Sequence, residues 1–167
     1  LKATREEARA ALAAQGVQSE PTALSPLGLR LPGRVPLIQY TAFRTGLVDV
    51  QDEGSQLAAA LTDAQPGEAV IDFCAGAGGK TLALAAQMKN KGRLVACDIN
   101  QGRVDRAQER LRRAGVHNVR SQVLSGEDDK WVKRHAKSFN RVLVDAPCSG
   151  TGTWRRNPDA KWRLTPE

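Results

Sequence analysis

One stretch of the chain combines an apolar run, a glycine-rich loop and an apolar helix in immediate succession. Residues 70–73 read VIDF, which is typical of a buried β-strand, residues 75–79 are all alanine or glycine, and residues 81–86 read TLALAA. Glycines let a ligand approach the main chain closely, and the first N–H groups of a helix lack internal partners and attract anionic groups. The stretch therefore predicts a strand, a loop and a helix that bind a nucleotide-like ligand.

The loop lacks the glycines that two common phosphate-binding patterns require. Cys74 stands where a P-loop needs its first glycine, and Thr81 stands where a dinucleotide fingerprint starting at Gly76 needs its third. Asp72 at the strand end would repel a pyrophosphate, but it suits a ligand that carries an ammonium or sulfonium charge. A second apolar run ends in Asp98, about 20 residues beyond the loop, where a carboxylate usually grips a ribose. S-adenosylmethionine matches both features.

At three places the chain resembles the RNA cytosine-C5 methyltransferases of the NOL1/NOP2/Sun family. Residues 72–81 (DFCAGAGGKT), Asp98 and residues 145–152 (DAPCSGTG) look like the first, second and fourth motifs of that family. Residues 50–55 (VQDEGS) are similar to the run that precedes its catalytic domain. The resemblance implies a Rossmann-like class I methyltransferase fold, S-adenosylmethionine as cofactor and RNA as substrate. It points most closely to the bacterial small-subunit (16S) ribosomal RNA enzymes, and a transfer RNA substrate stays open.

The resemblance also implies a set of cofactor-binding residues in the glycine loop and at the strand ends. Ser125 stands where the family usually has an aspartate near the adenine, and Asp128 is the expected substitute. Arg103 matches a family arginine. No metal site is expected. The predicted cofactor-binding residues are Asp72, Cys74, Ala75, Gly76, Ala77, Gly78, Gly79, Lys80, Asp98, Arg103, Asp128 and Asp145.

The predicted catalytic residues are Cys148, Asp145 and Lys80. Methylation of the unreactive C5 of cytosine requires a thiolate that adds at C6 and a carboxyl group that hydrogen-bonds or protonates the ring. Enzymes that methylate amino nitrogens carry an aromatic residue in place of Cys148, so the cysteine favours carbon methylation. In the resembling family this cysteine helps to release the product, and the nucleophile comes from a sixth motif. No cysteine follows Cys148 here, so we expect these 167 residues alone to bind cofactor weakly at best and not to turn over RNA.

Alternating strands and helices predict an α/β fold with a doubly wound, mostly parallel sheet. We expect strands near residues 70–73, 94–98, 118–124 and 141–144, with helices at 55–61, 81–88, 101–114 and 128–136. Four strands are present, whereas the resembling fold has seven, so the sheet is expected to be incomplete at the C-terminus. A capped helix over residues 5–15 and extended segments at 27–31 and 36–40 precede it. We interpret residues 1–45 as the remnant of an N-terminal α/β RNA-binding domain with its linker, and residues 46–167 as a partial methyltransferase domain.

Composition adds weaker constraints. The chain has 25 Lys and Arg against 18 Asp and Glu, a net charge of +7, which fits a polyanionic partner about as well as a solvated basic surface. Its three widely spaced cysteines form neither a disulfide framework nor a zinc site, which indicates a reducing cytoplasm, and no apolar run is long enough to span a bilayer. A monomer is expected. Cys74 and Cys97 are interpreted as small buried residues.

Four further interpretations stay open. Residues 152–163 combine cations with Trp154 and Trp162, which favours RNA contact over packing beneath the loop. A non-catalytic RNA-binding fragment of the same fold would keep these features without the nucleophile. A small-molecule methyltransferase would need neither the thiol nor the basic surface. The arginines on the predicted helix after Asn100 fit RNA contact and solvation equally: Arg103, Arg106, Arg110, Arg112 and Arg113.

Overall fold

The computed structural model describes residues 1–148, 152 and 158–163, which form an α/β fold around one parallel sheet. Residues 149–151 and 153–157 lie outside the described residues, and with them Trp154 of the predicted RNA-contacting run. Trp162 of the same run is described and exposed. The helices are α1 (Arg5–Ala13), α2 (Thr41–Arg44), α3 (Glu53–Leu61), α4 (Gly79–Gln87), α5 (Gln101–Ala114) and α6 (Lys130–Arg134). The strands are β1 (Glu20–Pro21), β2 (Leu29–Arg30), β3 (Ala69–Asp72), β4 (Arg93–Asp98), β5 (Val119–Val123) and β6 (Arg141–Leu143). Short 3-10 helices cover Leu37–Gln39 and Pro158–Arg163.

The main sheet has the strand order β5-β4-β3-β6, and every neighbouring pair is parallel. Val70 of β3 faces a cluster with Leu84 of α4 and Met88 at the C-cap of that helix, whereas its neighbour Ile71 faces Val95 and residues around α6 on the other side. Because successive strand residues point to opposite faces, both faces of the sheet are covered, and β3 is apolar up to its last residue, Asp72. The predicted doubly wound parallel sheet is therefore confirmed. Its parallel strands bring their carboxyl ends to one edge.

Helix boundaries follow local capping groups more closely than the apolar pattern. The capping box at Thr4 and Glu7 is confirmed, but α1 ends at Ala13, earlier than predicted. Helix α3 begins at Glu53 because the Asp52 carboxylate accepts a hydrogen bond from the Gly54 N–H at 3.0 Å. Asp129, which accepts from the Trp131 N–H, starts α6 two residues later than expected. Asn100 and Gly115 cap α5 as predicted.

The N-terminal residues pack around their own apolar cluster. Leu12, Val17 and Ala42 are its buried centre. The extended segment predicted at residues 36–40 is wrong in part, since Leu37–Gln39 is a 3-10 helix. This turn is closed by a hydrogen bond from the Tyr40 N–H to the Leu37 carbonyl at 3.0 Å. The side chains of Leu37 and Tyr40 both pack against the cluster. Leu47 and Val48 also pack against this cluster, although they lie beyond the domain boundary predicted at residue 45. The position of that boundary stays a prediction.

Within the described part of the chain, none of the helices is both long enough and apolar enough to cross a membrane.

Candidate functional site

Three aspartates lie at the carboxyl ends of adjacent strands of the sheet. Asp72 is the last residue of β3, Asp98 is the last residue of β4, and Asp145 follows the end of β6 by two residues. The glycine loop, residues 73–78, leaves β3 between them and leads directly into α4. Ligands bind at such an edge in open α/β sheets, where the connections between strands leave a crevice.

Main-chain contacts fix the shape of the glycine loop. The Ala75 N–H donates to the Cys97 carbonyl at 2.8 Å, and the Gly78 N–H donates back to the Ala75 carbonyl at 2.9 Å. Gly76 has φ +55°, and a Cβ built there would meet no atom within 4 Å. Gly78 has φ +79°, and its Cβ would lie 2.9 Å from the Cβ of Ala107 on α5. The loop therefore packs tightly on α5 at Gly78 and faces open space at Gly76.

Asp72 is a fully buried carboxylate that is only half satisfied. Its Oδ2 accepts a hydrogen bond from the Thr81 hydroxyl at 2.7 Å, whereas Oδ1 is buried without a hydrogen-bond partner among the described residues. Burial raises the pKa of the Asp72 carboxyl to about 6. A buried acceptor of this kind costs free energy unless a donor or a cation meets it.

Asp98 holds the glycine loop to the start of α5. Its Oδ2 accepts from the Gly76 N–H at 2.9 Å and its Oδ1 accepts from the Asn100 N–H at 2.8 Å. Arg103 places Nη1 4.0 Å from the same Oδ2. Ile99, the next residue after Asp98, is 69% exposed although it is large and apolar. Ile99 was not predicted as a site residue. The sequence feature that marks it is an apolar residue directly after the strand-end carboxylate.

Lys80 and Asp145 meet across the cleft. The Lys80 ammonium donates to Asp145 Oδ2 at 2.7 Å and to the Ser55 hydroxyl at 3.4 Å. The Lys80 side chain is 16% exposed and that of Asp145 is 56% exposed, so the pair joins the cleft wall to an accessible carboxylate. The structure thus brings together two of the predicted catalytic residues. Ser55 joins them from the beginning of α3.

The three cysteines are free and differ in environment. Cys148 is exposed, three residues after Asp145, whereas Cys97 is fully buried and its pKa is raised to about 12 by burial. Cys74 is half-buried, contrary to expectation, because it lies in the wall of the cleft. Burial, with the nearby charges of Asp72 and Asp98 as smaller causes, raises the pKa of its thiol. Cys148 is therefore the accessible thiol at this edge of the sheet.

A cleft of about 280 Å³ lies beside the glycine loop and the Lys80–Asp145 pair. Four of its lining residues were not predicted as site residues. Val50, Gln51 and Ser55 belong to the run at 50–55, and Arg110 belongs to the basic helix α5. Four predicted cofactor-binding residues near the loop do not line this cleft: Asp72, Gly78, Asp98 and Arg103. The cleft is lined by Val50, Gln51, Ser55, Cys74, Ala75, Gly76, Ala77, Gly79, Lys80, Arg110 and Asp145.

Asp128 is not brought into the cleft. Its side chain is 91% exposed and lies 3.4 Å from Lys133 on α6. Its neighbour Asp129 instead closes the loop, since it accepts from the N–H and the hydroxyl of Ser125 as well as from Trp131. The assignment of Asp128 to the cofactor stays a prediction that this geometry does not favour.

A larger cavity of about 610 Å³ lies between the N-terminal residues and helices α3 and α4, and it shares Val50 and Gln51 with the smaller cleft. Apolar side chains such as Leu12, Leu29 and Leu82 form much of its wall. It contains none of the predicted site residues. The smaller cleft is the candidate site because it combines charged groups, exposed main chain and strand ends. No cluster of His, Cys, Asp and Glu suited to a metal ion occurs among the described residues.

The sheet order and the glycine loop followed by α4 define a Rossmann-like methyltransferase fold. The methyltransferase homolog protein from Pyrococcus horikoshii superposes with a TM-score of 0.78 at 30% identity, over 96% of this chain and 52% of that chain. NSun6 from Pyrococcus horikoshii, solved with SFG, superposes with a TM-score of 0.63 at 29% identity, over 73% of this chain and 30% of that chain.

A family described as 16S rRNA methyltransferase RsmB/F matches residues 59–167, and the chain belongs to this family. The ribosomal RNA small subunit methyltransferase B of Pasteurella multocida is 38% identical over 96% of this chain and 36% of its own length. The chain therefore spans a little over a third of the length of such relatives. The resemblance to Sun-type enzymes is confirmed.

Proposed function

We propose that this chain is the cofactor-binding part of an S-adenosylmethionine-dependent enzyme that methylates C5 of cytosine in small-subunit ribosomal RNA. The observation that carries the proposal is the position of Asp145, which Lys80 holds at 2.7 Å over the glycine cleft, three residues before the exposed Cys148. This arrangement offers a carboxylate in the wall of the cleft and an exposed thiol three residues further along the chain, and cytosine-C5 chemistry needs both.

The residues around the cleft fit S-adenosylmethionine. The unpartnered Oδ1 of Asp72 suits the ammonium group at the amino-acid end of the cofactor, and the open space at Gly76 lets a ligand approach the loop. Asp98 would hold the ribose and the exposed face of Ile99 would meet the adenine. When bound, the cofactor supplies a methyl group on a positively charged sulfur. The structural neighbour solved with SFG, an S-adenosylmethionine analogue, supports this assignment.

The catalytic roles follow from the order of the groups. Lys80 orients the Asp145 carboxylate, so that Asp145 can hydrogen-bond a cytosine ring that enters from the accessible side. Cys148 would act on the product side of the reaction, where the C5 proton leaves and the nucleophile is released. The nucleophile that adds to C6 would be a further cysteine outside these 167 residues. The target base has to leave its stack to reach these groups.

Ribosomal RNA is the proposed substrate because of the family to which the chain belongs and because of the names of its relatives. The net charge of +7 fits a polyanionic partner. Transfer RNA is the alternative substrate.

Two measurements test the proposal. The complete gene product is titrated with S-adenosylhomocysteine by calorimetry, and it is incubated separately with 5-azacytidine-substituted 16S RNA and S-adenosylmethionine. We expect saturable binding in the first and a denaturation-resistant protein–RNA adduct in the second, with unsubstituted RNA and substituted transfer RNA as controls. Binding without an adduct would favour a small-molecule methyltransferase. RNA binding with neither cofactor binding nor adduct would favour a non-catalytic RNA-binding protein.

A further inference from the structure

Arg110 connects the glycine loop to the segment that precedes α3. Its Nη1 donates to the Ala77 carbonyl at 3.1 Å, and its Nη2 donates to the Val50 carbonyl at 3.4 Å. The same Nη2 lies 3.1 Å from Asp49 Oδ1. One guanidinium on α5 therefore bonds the cofactor loop and the incoming chain at once, which its fixed fork of donors makes possible.

Asp49 receives two arginines that lie one turn apart on α5. Arg110 contacts its Oδ1, and Arg113 donates to its Oδ2 at 2.5 Å. The Asp49 side chain is 14% exposed and each arginine side chain is 25% exposed, so water screens this network less than it screens a surface pair. The carboxylate thus fixes the direction in which Arg110 leaves the helix.

The segment that carries Asp49 is itself docked on α5. Arg113 stacks over the Phe43 ring at 3.9 Å, and the Lys2 ammonium bridges the carbonyls of Thr45 and Arg113 at 2.6 and 2.7 Å. Gly46, at φ +73°, passes so close to the Arg113 carbonyl that a side chain there would overlap it. The N-terminal residues are therefore held against the same helix whose arginine reaches the cofactor loop.

We propose that Arg110 is a positioning residue for cofactor binding and that Asp49 aligns it, so that docking of residues 41–50 on α5 sets the conformation of the glycine loop. The proposal rests on the proposed function. Ala77 lies between two glycines with positive φ, and glycine-rich main chain loses more freedom on ordering than other sequences do. A charged donor to the Ala77 carbonyl removes that freedom before the cofactor arrives.

The test compares Arg110→Gln, Arg110→Lys and Asp49→Asn with Arg112→Gln, a matched control that removes an exposed arginine from the same helix. We measure the Kd for S-adenosylhomocysteine, the Tm without ligand and the hydrogen exchange of the amides at residues 75–79. Arg110→Gln should weaken binding roughly tenfold and speed exchange in the loop. Arg110→Lys should weaken binding about threefold, since lysine cannot bridge the carbonyls of Ala77 and Val50. Asp49→Asn should also weaken binding about threefold, because it removes the charge that aligns Arg110. Arg112→Gln should change neither the Kd for S-adenosylhomocysteine nor the hydrogen exchange of the loop.

The double variant Asp49→Asn/Arg110→Gln separates positioning from general stability. Because Asp49 acts through Arg110, the double variant should bind no more weakly than Arg110→Gln alone, even where its Tm falls further. Full additivity of the two losses would overturn the role of Asp49. Binding of Arg110→Gln within twofold of the unaltered protein, with unchanged loop exchange, would overturn the role of Arg110. If Arg110→Gln does not fold, Arg110→Lys and Asp49→Asn decide by the same measures. Failure of the unaltered protein to bind S-adenosylhomocysteine would instead overturn the proposed function, and this inference with it.

Discussion

Thr81 donates its hydroxyl hydrogen to one oxygen of the Asp72 carboxylate, at 2.7 Å, while the other oxygen is buried without a partner among the described residues. The pair joins the end of β3 to the first turn of α4 and is completely shielded from water. Removal of the hydroxyl would take away the side-chain hydrogen bond that this buried carboxylate accepts. We expect Thr81→Val to lower the free energy of unfolding by about 1–3 kcal/mol.

The measurement is urea unfolding at neutral pH. Thr62→Val is the matched control, because the Thr62 hydroxyl donates only to the nearby Ala58 carbonyl at 3.3 Å and supports no buried charge. A loss in Thr81→Val no larger than in Thr62→Val would show that Asp72 does not depend on this hydrogen bond.

Asp72 should also make stability depend on pH. Burial raises the pKa of its carboxyl from 3.8 to about 6, so between these values the folded chain binds a proton that the unfolded chain does not. This contribution therefore stabilises the fold as the pH falls from about 7 to about 4, by roughly 3 kcal/mol in all. The unfolding free energy of Asp72→Asn, subtracted from that of the unaltered protein at each pH, should isolate this slope. A difference that stays flat from pH 7 to pH 4 would contradict it.

Cofactor binding should have the opposite pH dependence. A proton on Asp72 competes with the cofactor's ammonium group for the unpartnered oxygen, so the affinity for S-adenosylmethionine should fall as the pH falls through about 6. Asp72→Asn should bind more weakly at neutral pH and lose the Asp72-dependent part of this change. Calorimetric titrations at pH 7.5 and about 5.5 on both proteins provide the measurement. An equal pH response in the two proteins would assign the effect to other groups.

Gly78 is the residue at which the glycine loop packs against α5. With φ +79° and Ala107 Cβ only 2.9 Å from the position of a Cβ, Gly78→Ala combines backbone strain with overlap. We expect a loss of about 1–3 kcal/mol in the free energy of unfolding, together with weaker binding of S-adenosylhomocysteine. Gly33→Ala is the control, since a Cβ there would meet nothing within 4 Å and Gly33 lacks a positive φ. Equal losses of unfolding free energy in the two variants would show that the loop and α5 accommodate a side chain at residue 78 without strain.

The sheet and its polar edge were predictable because both are local in sequence. β3 and β4 are largely apolar runs that each end in the aspartate that the sequence singled out, so parallel pairing alone brings Asp72 and Asp98 to one edge. The glycines between β3 and α4 marked the loop for the same reason. Lys80 and Asp145 were both selected as catalytic residues from their motifs, and the structure brings them into contact.

The rest of the site depends on contacts between distant parts of the chain. Arg110 is one arginine among several on α5, and only the docking of Asp49 distinguishes it from Arg112. Asp128 and Asp129 are chemically equivalent in sequence, whereas the turn closed by the Ser125 hydroxyl makes Asp129 the cap and leaves Asp128 in solvent. Such choices are set by tertiary geometry, which residue patterns do not record.

Cys148 provides the most direct test of the proposed chemistry. If it assists release after methyl transfer, Cys148→Ala in the complete gene product should stall as a covalent protein–RNA adduct even on unmodified cytosine RNA with S-adenosylmethionine. The measurement is a denaturing gel with labelled 16S RNA. Cys97→Ala is the control, because Cys97 is fully buried and burial raises the pKa of its thiol to about 12, so the thiol stays protonated and out of reach of RNA. We expect an adduct with the Cys148 variant and none with the Cys97 variant. Normal turnover by Cys148→Ala would remove the thiol from the mechanism.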